Sequence, residues 1–261
     1  MVRMTPIELF HEARLAEALD AQRVVVAARP DDVAERLLWC ELLAFTGDRD
    51  AVRRVLAGLR AAPPGVRAYC DEWQALLAAD DARHRADRPT FLIDPFRHVL
   101  QRLRGLECLR AGREEVALDR LDEADEGAGY VEGHVDGRPF EGWRDADDLL
   151  GPVLELFLGG RYVWLAVDQV RKLRLDEGDE LRDLLYRPAT VWLTDGSEWE
   201  VFIPGLYVGT SDHPEDGLRT GAGVDWVERD GVTRGAGGRT FLFGEEELTL
   251  GEFRQVEVRS R

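Results

Sequence analysis

Apolar residues in the first half of the chain recur every three to four positions, which is the spacing of an amphipathic helix. Residues 52–59 carry one such stripe, and proline or glycine interrupts the pattern between stripes. Asp31 and Asp48 are expected N-caps, and Gly47 and Gly112 are expected helix stops. The spacing predicts helices over residues 5–13, 15–28, 32–46, 48–61, 65–86, 95–111 and 114–126.

These predicted helices follow one another closely enough to form hairpins, and small residues recur at the turns and contact positions. Ala13 and Ala18 follow the offsets of a tetratricopeptide repeat, and so do Gly112, Ala117 and Ala124. Small side chains at these offsets allow paired helices to approach closely. The first half is therefore expected to be a helical hairpin array, either as a true repeat or as an irregular bundle.

After residue 128 the pattern changes to short apolar runs between glycine-rich turns, which is typical of β-strands. Asp136-Gly137 is a hairpin signal, and a short helix is expected near 180–186, ended by Pro188. Strands are predicted over 153–158, 162–167, 190–193, 199–203, 224–227, 240–243 and 253–258. The sequence thus predicts an α+β protein, with a tetratricopeptide-like helical domain over 1–128 and a β-rich domain over 129–261.

The charge of the chain limits its partners. The 261 residues carry a formal net charge of −17, and residues 129–261 hold 15 basic and 27 acidic side chains. Such a chain repels phosphate backbones and anionic lipid, so nucleic-acid and membrane partners are not expected. A basic protein segment is a permitted partner. No apolar run is long enough to span a membrane, and no signal peptide is apparent at the N-terminus.

Cysteine usage predicts a cytoplasmic protein without a metal or disulfide framework. Cys40, Cys70 and Cys108 are widely spaced, odd in number and lie in helical patterns. Because no paired cysteine or cysteine–histidine motif is present, the three thiols are expected to be small buried side chains.

Motifs for catalysis are incomplete throughout the chain. The segment Gly209–His213 resembles a nucleophile elbow but has histidine where the second glycine is required. The glycine-rich runs 127–132, 221–226 and 235–238 depart from phosphate-binding motifs and are interpreted as turns. Residues 145–148 begin like a calcium loop, yet leucines occupy later ligand positions. The prediction is therefore no enzyme, no metal and no cofactor.

Three runs in the second half are more specific. They read D-G-R-P-F-E-G-W-R-D-A-D over 136–147, L-G-P-V-L-E over 150–155 and G-G-R-Y-V-W over 159–164. These runs resemble the ImpE/TagJ (SciE-type) family of type VI secretion accessory proteins. Further segments, L-R-D-L over 181–184 and Y-R-P-A over 186–189, also resemble motifs of that family.

The resemblance implies a non-enzymatic adaptor in the bacterial cytoplasm. It also implies association with the small subunit of the contractile sheath and a link to the AAA+ ATPase that recycles the sheath. The family-matching residues Trp143, Asp145, Asp147, Tyr162 and Trp164 are the predicted partner-binding positions. They have an alternative role in fixing the β fold, with the aspartates capping a helix or holding a nearby arginine.

Two further functions stay open at the level of sequence. The chain could be a peptide-binding helical scaffold of another system. It could also be an enzyme with a site in the β-rich domain around Asp145, Asp147 and Arg161. A deep cleft that converges on these residues would favour this hypothesis.

Overall fold

The computed structural model describes residues 4–178, 180–229 and 231–259. Seven helices come first: α1 (Pro6–His11), α2 (Leu15–Ala28), α3 (Val33–Ala44), α4 (Arg49–Ala57), α5 (Pro64–His84), α6 (Arg97–Arg110) and α7 (Glu114–Gly127). All seven predicted helices are present, with bounds within a few residues of those expected. In the described part of the chain, no helix is long and apolar enough to cross a membrane.

The helix ends follow from local hydrogen bonding. Asp48 caps α4 as predicted, and Gly47 before it has the left-handed φ of +75° that glycine favours. The prediction for α3 was wrong by one residue, because Asp32 rather than Asp31 accepts the Ala34 amide, at 3.1 Å.

The small residues singled out in the sequence lie where helices meet. Ala13 takes a left-handed φ of +55° between α1 and α2, and Gly112 takes +67° between α6 and α7. Ala18, Ala117 and Ala124 are fully buried. Consecutive helices pack in pairs from α1 to α4 and again at α6–α7, whereas α5 packs against the sheet and interrupts the array.

Within the described ranges, two short α-helices and thirteen strands follow. The helices are α8 (Arg182–Leu185) and α9 (Asp216–Arg219). The strands are β1 (Glu132–Val135), β2 (Arg138–Glu141), β3 (Trp143–Asp145), β4 (Val153–Leu158), β5 (Arg161–Ala166), β6 (Val170–Leu175), β7 (Tyr186–Leu193), β8 (Glu198–Pro204), β9 (Val224–Arg229), β10 (Val232–Gly237), β11 (Thr240–Phe243), β12 (Glu246–Thr249) and β13 (Gln255–Val258). The prediction of helices followed by a β-rich region is confirmed.

The strands form three antiparallel sheets. The largest has eight strands in the order β2-β1-β13-β6-β7-β8-β4-β5, and a second has the order β12-β11-β3. Strands β9 and β10 pair as a two-stranded ribbon over 224–237. The predicted hairpin at Asp136 and Gly137 joins β1 to β2, and both residues have positive φ, +47° and +80°.

Beyond the β1–β2 hairpin, which the Asp136-Gly137 signal predicted, four strands were not predicted, namely β3, β6, β10 and β12. The prediction of a turn over 235–238 was wrong, because Gly235–Gly237 belong to β10 and pair with β9. Strand β7 begins at Tyr186, before the predicted start at 190. Its Pro188 lies in the strand and follows α8.

Two large hydrophobic clusters hold the described part of the fold together, beside a small third one. One joins the helices to the face of the sheet that carries Val153, Phe157 and Trp164. The other lies within the β-rich part and includes Leu154, Leu156 and further apolar residues of the opposite face. Both faces of β4 are therefore covered, which explains why five of its six residues are apolar. The division at residue 128 stays a prediction, since the first cluster includes residues from both sides of it.

Candidate functional site

The five residues selected from the sequence are all buried. Trp143, Asp145, Asp147, Tyr162 and Trp164 expose between 0% and 8% of their surface. In this conformation a partner could not contact most of their side-chain atoms. Partner binding by these residues stays a prediction, and their internal contacts identify a different role.

The centre of these contacts is Glu155, a single carboxylate in the middle of β4. Its carboxylate accepts hydrogen bonds from Arg83 Nε of α5 (2.9 Å), from Arg239 and from the Tyr162 hydroxyl. Trp164 Nε1 in turn donates to the Tyr162 hydroxyl at 2.5 Å. Because Arg83 belongs to a helix and Glu155 to the sheet, this buried network joins the two parts of the molecule.

Asp145 extends the network to the second sheet. Its Oδ2 lies 3.3 Å from Arg239 Nη1, and its Oδ1 accepts from the Tyr207 hydroxyl at 2.9 Å and from the Asp147 amide at 2.8 Å. Arg239 therefore bridges Glu155 and Asp145 while being fully buried. These contacts show that Asp145 holds a nearby arginine, which is one of the alternative roles considered for it.

Asp147 fastens the β9–β10 ribbon. Its Oδ2 accepts from Arg234 Nε (3.0 Å) and from the Gly235 amide (3.1 Å). Its Oδ1 accepts from the Leu149 amide at 2.9 Å and so closes a turn rather than capping a helix. Trp143 has a packing role, with its ring stacked on Phe243 at a centroid distance of 5.8 Å.

The pKa values of the two central carboxylates, Glu155 and Asp145, are shifted in opposite directions. Burial by itself would raise the pKa of Glu155, but the charges of Arg83 and Arg239 hold that pKa at about 2. Burial raises the pKa of Asp145 to about 7, because the opposing effect of Arg239 does not compensate for the lost hydration.

A cleft of about 520 Å³ opens above the network, between α6 and the β9–β10 ribbon. We call it the helix–sheet cleft. Its apolar wall consists of Leu103, Leu106, Leu109, Leu149, Leu150 and Val208. Asp147, Tyr162 and Trp164 also line it. The enzyme hypothesis required a cleft that converges on Asp145, Asp147 and Arg161, and of these three residues only Asp147 lines this cleft. Arg161, however, is exposed at the start of β5 and is not among the lining residues.

Sequence reasoning missed Arg83, Tyr207 and Arg239 as site residues. One signal was available, since Glu155 is a lone charge inside an apolar run, and a charge in such a run needs a buried partner. Among the described residues, no group of three or more histidine, cysteine or acidic side chains could hold a metal ion.

Gly235 positions the site through its lack of a side chain. A Cβ at this position would overlap the ring of Tyr207, whose hydroxyl contacts Asp145. We expect Gly235→Ala to lower the free energy of unfolding by about 1–3 kcal/mol, measured by urea denaturation. Gly217→Ala is the matched control, because a Cβ there meets no atom within 4 Å. Equal stability of the two variants would contradict this close-packing role.

Comparison with known proteins places these features in context. Residues 137–257 match the family model described as "ImpE protein". The chain is 29% identical over 260 residues to the type VI secretion system accessory component TagJ of Pseudomonas aeruginosa strain PAO1, covering 98% of this chain and 92% of that protein. A crystal structure of protein VPA1032 from Vibrio parahaemolyticus shares the fold, with a TM-score of 0.87, 20% identity and 98% coverage of both chains.

Proposed function

We propose that this chain, of which residues 137–257 match the ImpE family model, is a non-enzymatic accessory protein of a bacterial type VI secretion system. The observation that carries this proposal is the similarity to TagJ, which extends over 98% of the chain rather than over one region. We further propose that the protein acts in the cytoplasm.

The proposed partner is the small subunit of the contractile sheath, with a link to the AAA+ ATPase that recycles contracted sheath. This part of the proposal rests on the resemblance of residues 136–164 to the family's motifs. The charge is compatible with it, since the β-rich half carries 12 more acidic than basic side chains and would attract a basic segment.

The buried network supports an adaptor rather than a catalyst. Glu155, Arg83 and Arg239 are paired with one another, and Asp147 is engaged by Arg234. Glu155, Arg83 and Asp147 also line the helix–sheet cleft, but their ion pairs hold them in fixed positions. These groups instead hold the helices, the large sheet and the ribbon together.

The edges of the large sheet disfavour docking by strand addition and so favour docking of a helix. Thr90 already pairs with the outer edge of β5, where its amide donates to the Tyr162 carbonyl at 2.9 Å. The opposite edge strand, β2, contains Pro139, which has no amide to donate. Addition of a partner strand is therefore disfavoured at both edges, and a helix laid in the helix–sheet cleft is the proposed mode.

A surface variant in the cleft tests this proposal. Val208 lines the cleft and exposes 38% of its surface, so Val208→Asp should fold and yet place a charge against the docked helix. We expect it to weaken binding of the sheath subunit's N-terminal segment by about tenfold or more, measured by calorimetry.

The control is Val24→Asp on α2, where the valine is 55% exposed and is not among the cleft residues. Undiminished binding by Val208→Asp would remove the cleft as the docking site. Absence of binding by the unmodified protein would remove the proposed partner itself.

A further inference from the structure

A second cavity lies on the other side of Arg239, away from the helix–sheet cleft. It measures about 100 Å³ and lies between α8, the start of β7 and the segment after β12. Its lining includes Arg187, Asp183 and Thr249, together with Gly205, Gly221 and Gly238. We call it the Arg187 cavity. The six residues named do not belong to the network around Glu155, although Arg239 of that network also lines the cavity.

Arg187 differs from the other buried arginines of the described chain. Arg83, Arg102, Arg182 and Arg239 each form an ion pair with a carboxylate. Arg187 is 92% buried, yet within the described ranges its side chain forms no ion pair or hydrogen bond, and its Nε is unsatisfied. A buried cation without a counter-charge is costly, so its retention needs an explanation.

The charges around Arg187 do not compensate for it. Burial lowers the pKa of Arg187, the nearby charge of Arg254 lowers it further, and the charge of Asp183 opposes these two effects only in part. The carboxylate at the cavity wall, Asp183, is already engaged by Arg182 at 3.3 Å and by the Glu180 amide at 3.3 Å. The cavity therefore combines excess positive charge with an unsatisfied guanidinium, whose fork of donors matches an oxyanion.

The space beside Arg187 is small and formed in part by backbone. Gly178 lies against the guanidinium, since a Cβ there would come within 2.7 Å of Arg187 Nη1. At Gly238 a Cβ would lie 3.1 Å from the Gly221 carbonyl oxygen, so this wall is close-packed main chain. A volume of about 100 Å³ corresponds to about three waters at ~30 Å³ each, which suits one tetrahedral oxyanion and excludes a nucleotide.

We propose that the Arg187 cavity binds a small inorganic oxyanion of the size of phosphate or sulfate, with the Arg187 guanidinium as its main ligand. The bound anion supplies the counter-charge that the described residues do not provide. This site is independent of the sheath partner and of the helix–sheet cleft, so it stands or falls separately from the proposed function.

Thermal unfolding of the full chain in phosphate and in chloride of equal ionic strength tests the proposal. At a phosphate concentration ten times the Kd, we expect Tm to rise by about 3–6 °C over chloride. Sulfate should give a similar rise. Arg187→Gln should lose the rise, whereas Arg174→Gln should keep it, because Arg174 is half-exposed on β6 and does not line the cavity.

Calorimetric titration of the unmodified protein with phosphate is the independent measurement, and it does not depend on the stability of any variant. Saturable binding with one site supports the proposal. Three results would overturn it: no saturable binding at millimolar phosphate, a Tm rise that persists in Arg187→Gln, or an equal rise with acetate, which would assign the site to carboxylates.

Discussion

Replacing Glu155 with Gln is expected to lower the free energy of unfolding by about 3–5 kcal/mol. The change keeps the shape of the side chain but removes the charge that Arg83 and Arg239 share, and both arginines expose 6% or less of their surface. Two buried cations would then face a neutral amide, which does not neutralise their charge. Urea denaturation followed by tryptophan fluorescence measures the effect, with Trp164 next to the network as a local reporter.

Glu200→Gln on β8 is the matched control, because Glu200 is exposed on the surface. It should change stability by less than about 0.5 kcal/mol. The network also joins α5 to the sheet, so the helical far-ultraviolet signal and the fluorescence signal should lose stability together in Glu155→Gln. A loss below about 1 kcal/mol would contradict a central structural role for this carboxylate.

Replacing Asp145 with Asn is expected to change how stability depends on pH. The pKa of Asp145 is raised to about 7 in the folded protein, against about 3.9 in an unfolded chain. Between these values the folded state holds a proton that the unfolded state has released. Stability from this group is therefore present at low pH and is lost as pH rises towards 7, by about 2–3 kcal/mol between pH 5 and pH 8.

The Asp145→Asn variant carries a neutral amide at every pH, so it does not lose this stability as pH rises. The stability of Asp145→Asn relative to the unmodified protein should rise by about 2–3 kcal/mol from pH 5 to pH 8, in urea denaturation at both values. Asp212→Asn, at an exposed position, should leave the pH dependence unchanged. A constant difference between Asp145→Asn and the unmodified protein across this range would show that Asp145 titrates normally.

The helical half was largely predictable because its information is local. Stripes of apolar residues, the Asp48 cap and the stops at Gly47 and Gly112 are all encoded within a few positions. The error at Asp31 reflects two adjacent aspartates that have similar capping propensity, of which only Asp32 faces the first-turn amides.

The β-rich half was less predictable because its strands depend on distant partners. Residues 232–237 contain two glycines and look like a turn, yet they form β10 because β9 pairs with them and the Tyr207 ring needs the space at Gly235. Strand β6 is charged on its outer positions, and its pairing with β7 and β13 defines it.

The contacts of the site residues were also hard to predict, because their partners are distant in the sequence. The family-matching run identified Asp145 and Asp147 as unusual, and the alternative that they hold arginines is what their contacts show. Their partners Arg239 and Arg234 lie about 90 positions away, and no local pattern connects them. The charge of Arg187 was likewise visible in the sequence, but its lack of a partner is visible only in three dimensions.

Calorimetric titration of the full chain with the N-terminal segment of the sheath small subunit tests the proposed function most directly. We expect saturable binding at low salt, and a Kd that rises as salt is added, because the acidic β-rich half attracts a basic segment. A salt-insensitive Kd would assign the binding to apolar contacts in the helix–sheet cleft alone. Absence of binding at high micromolar concentration and low salt would contradict the proposal that this protein is a sheath adaptor.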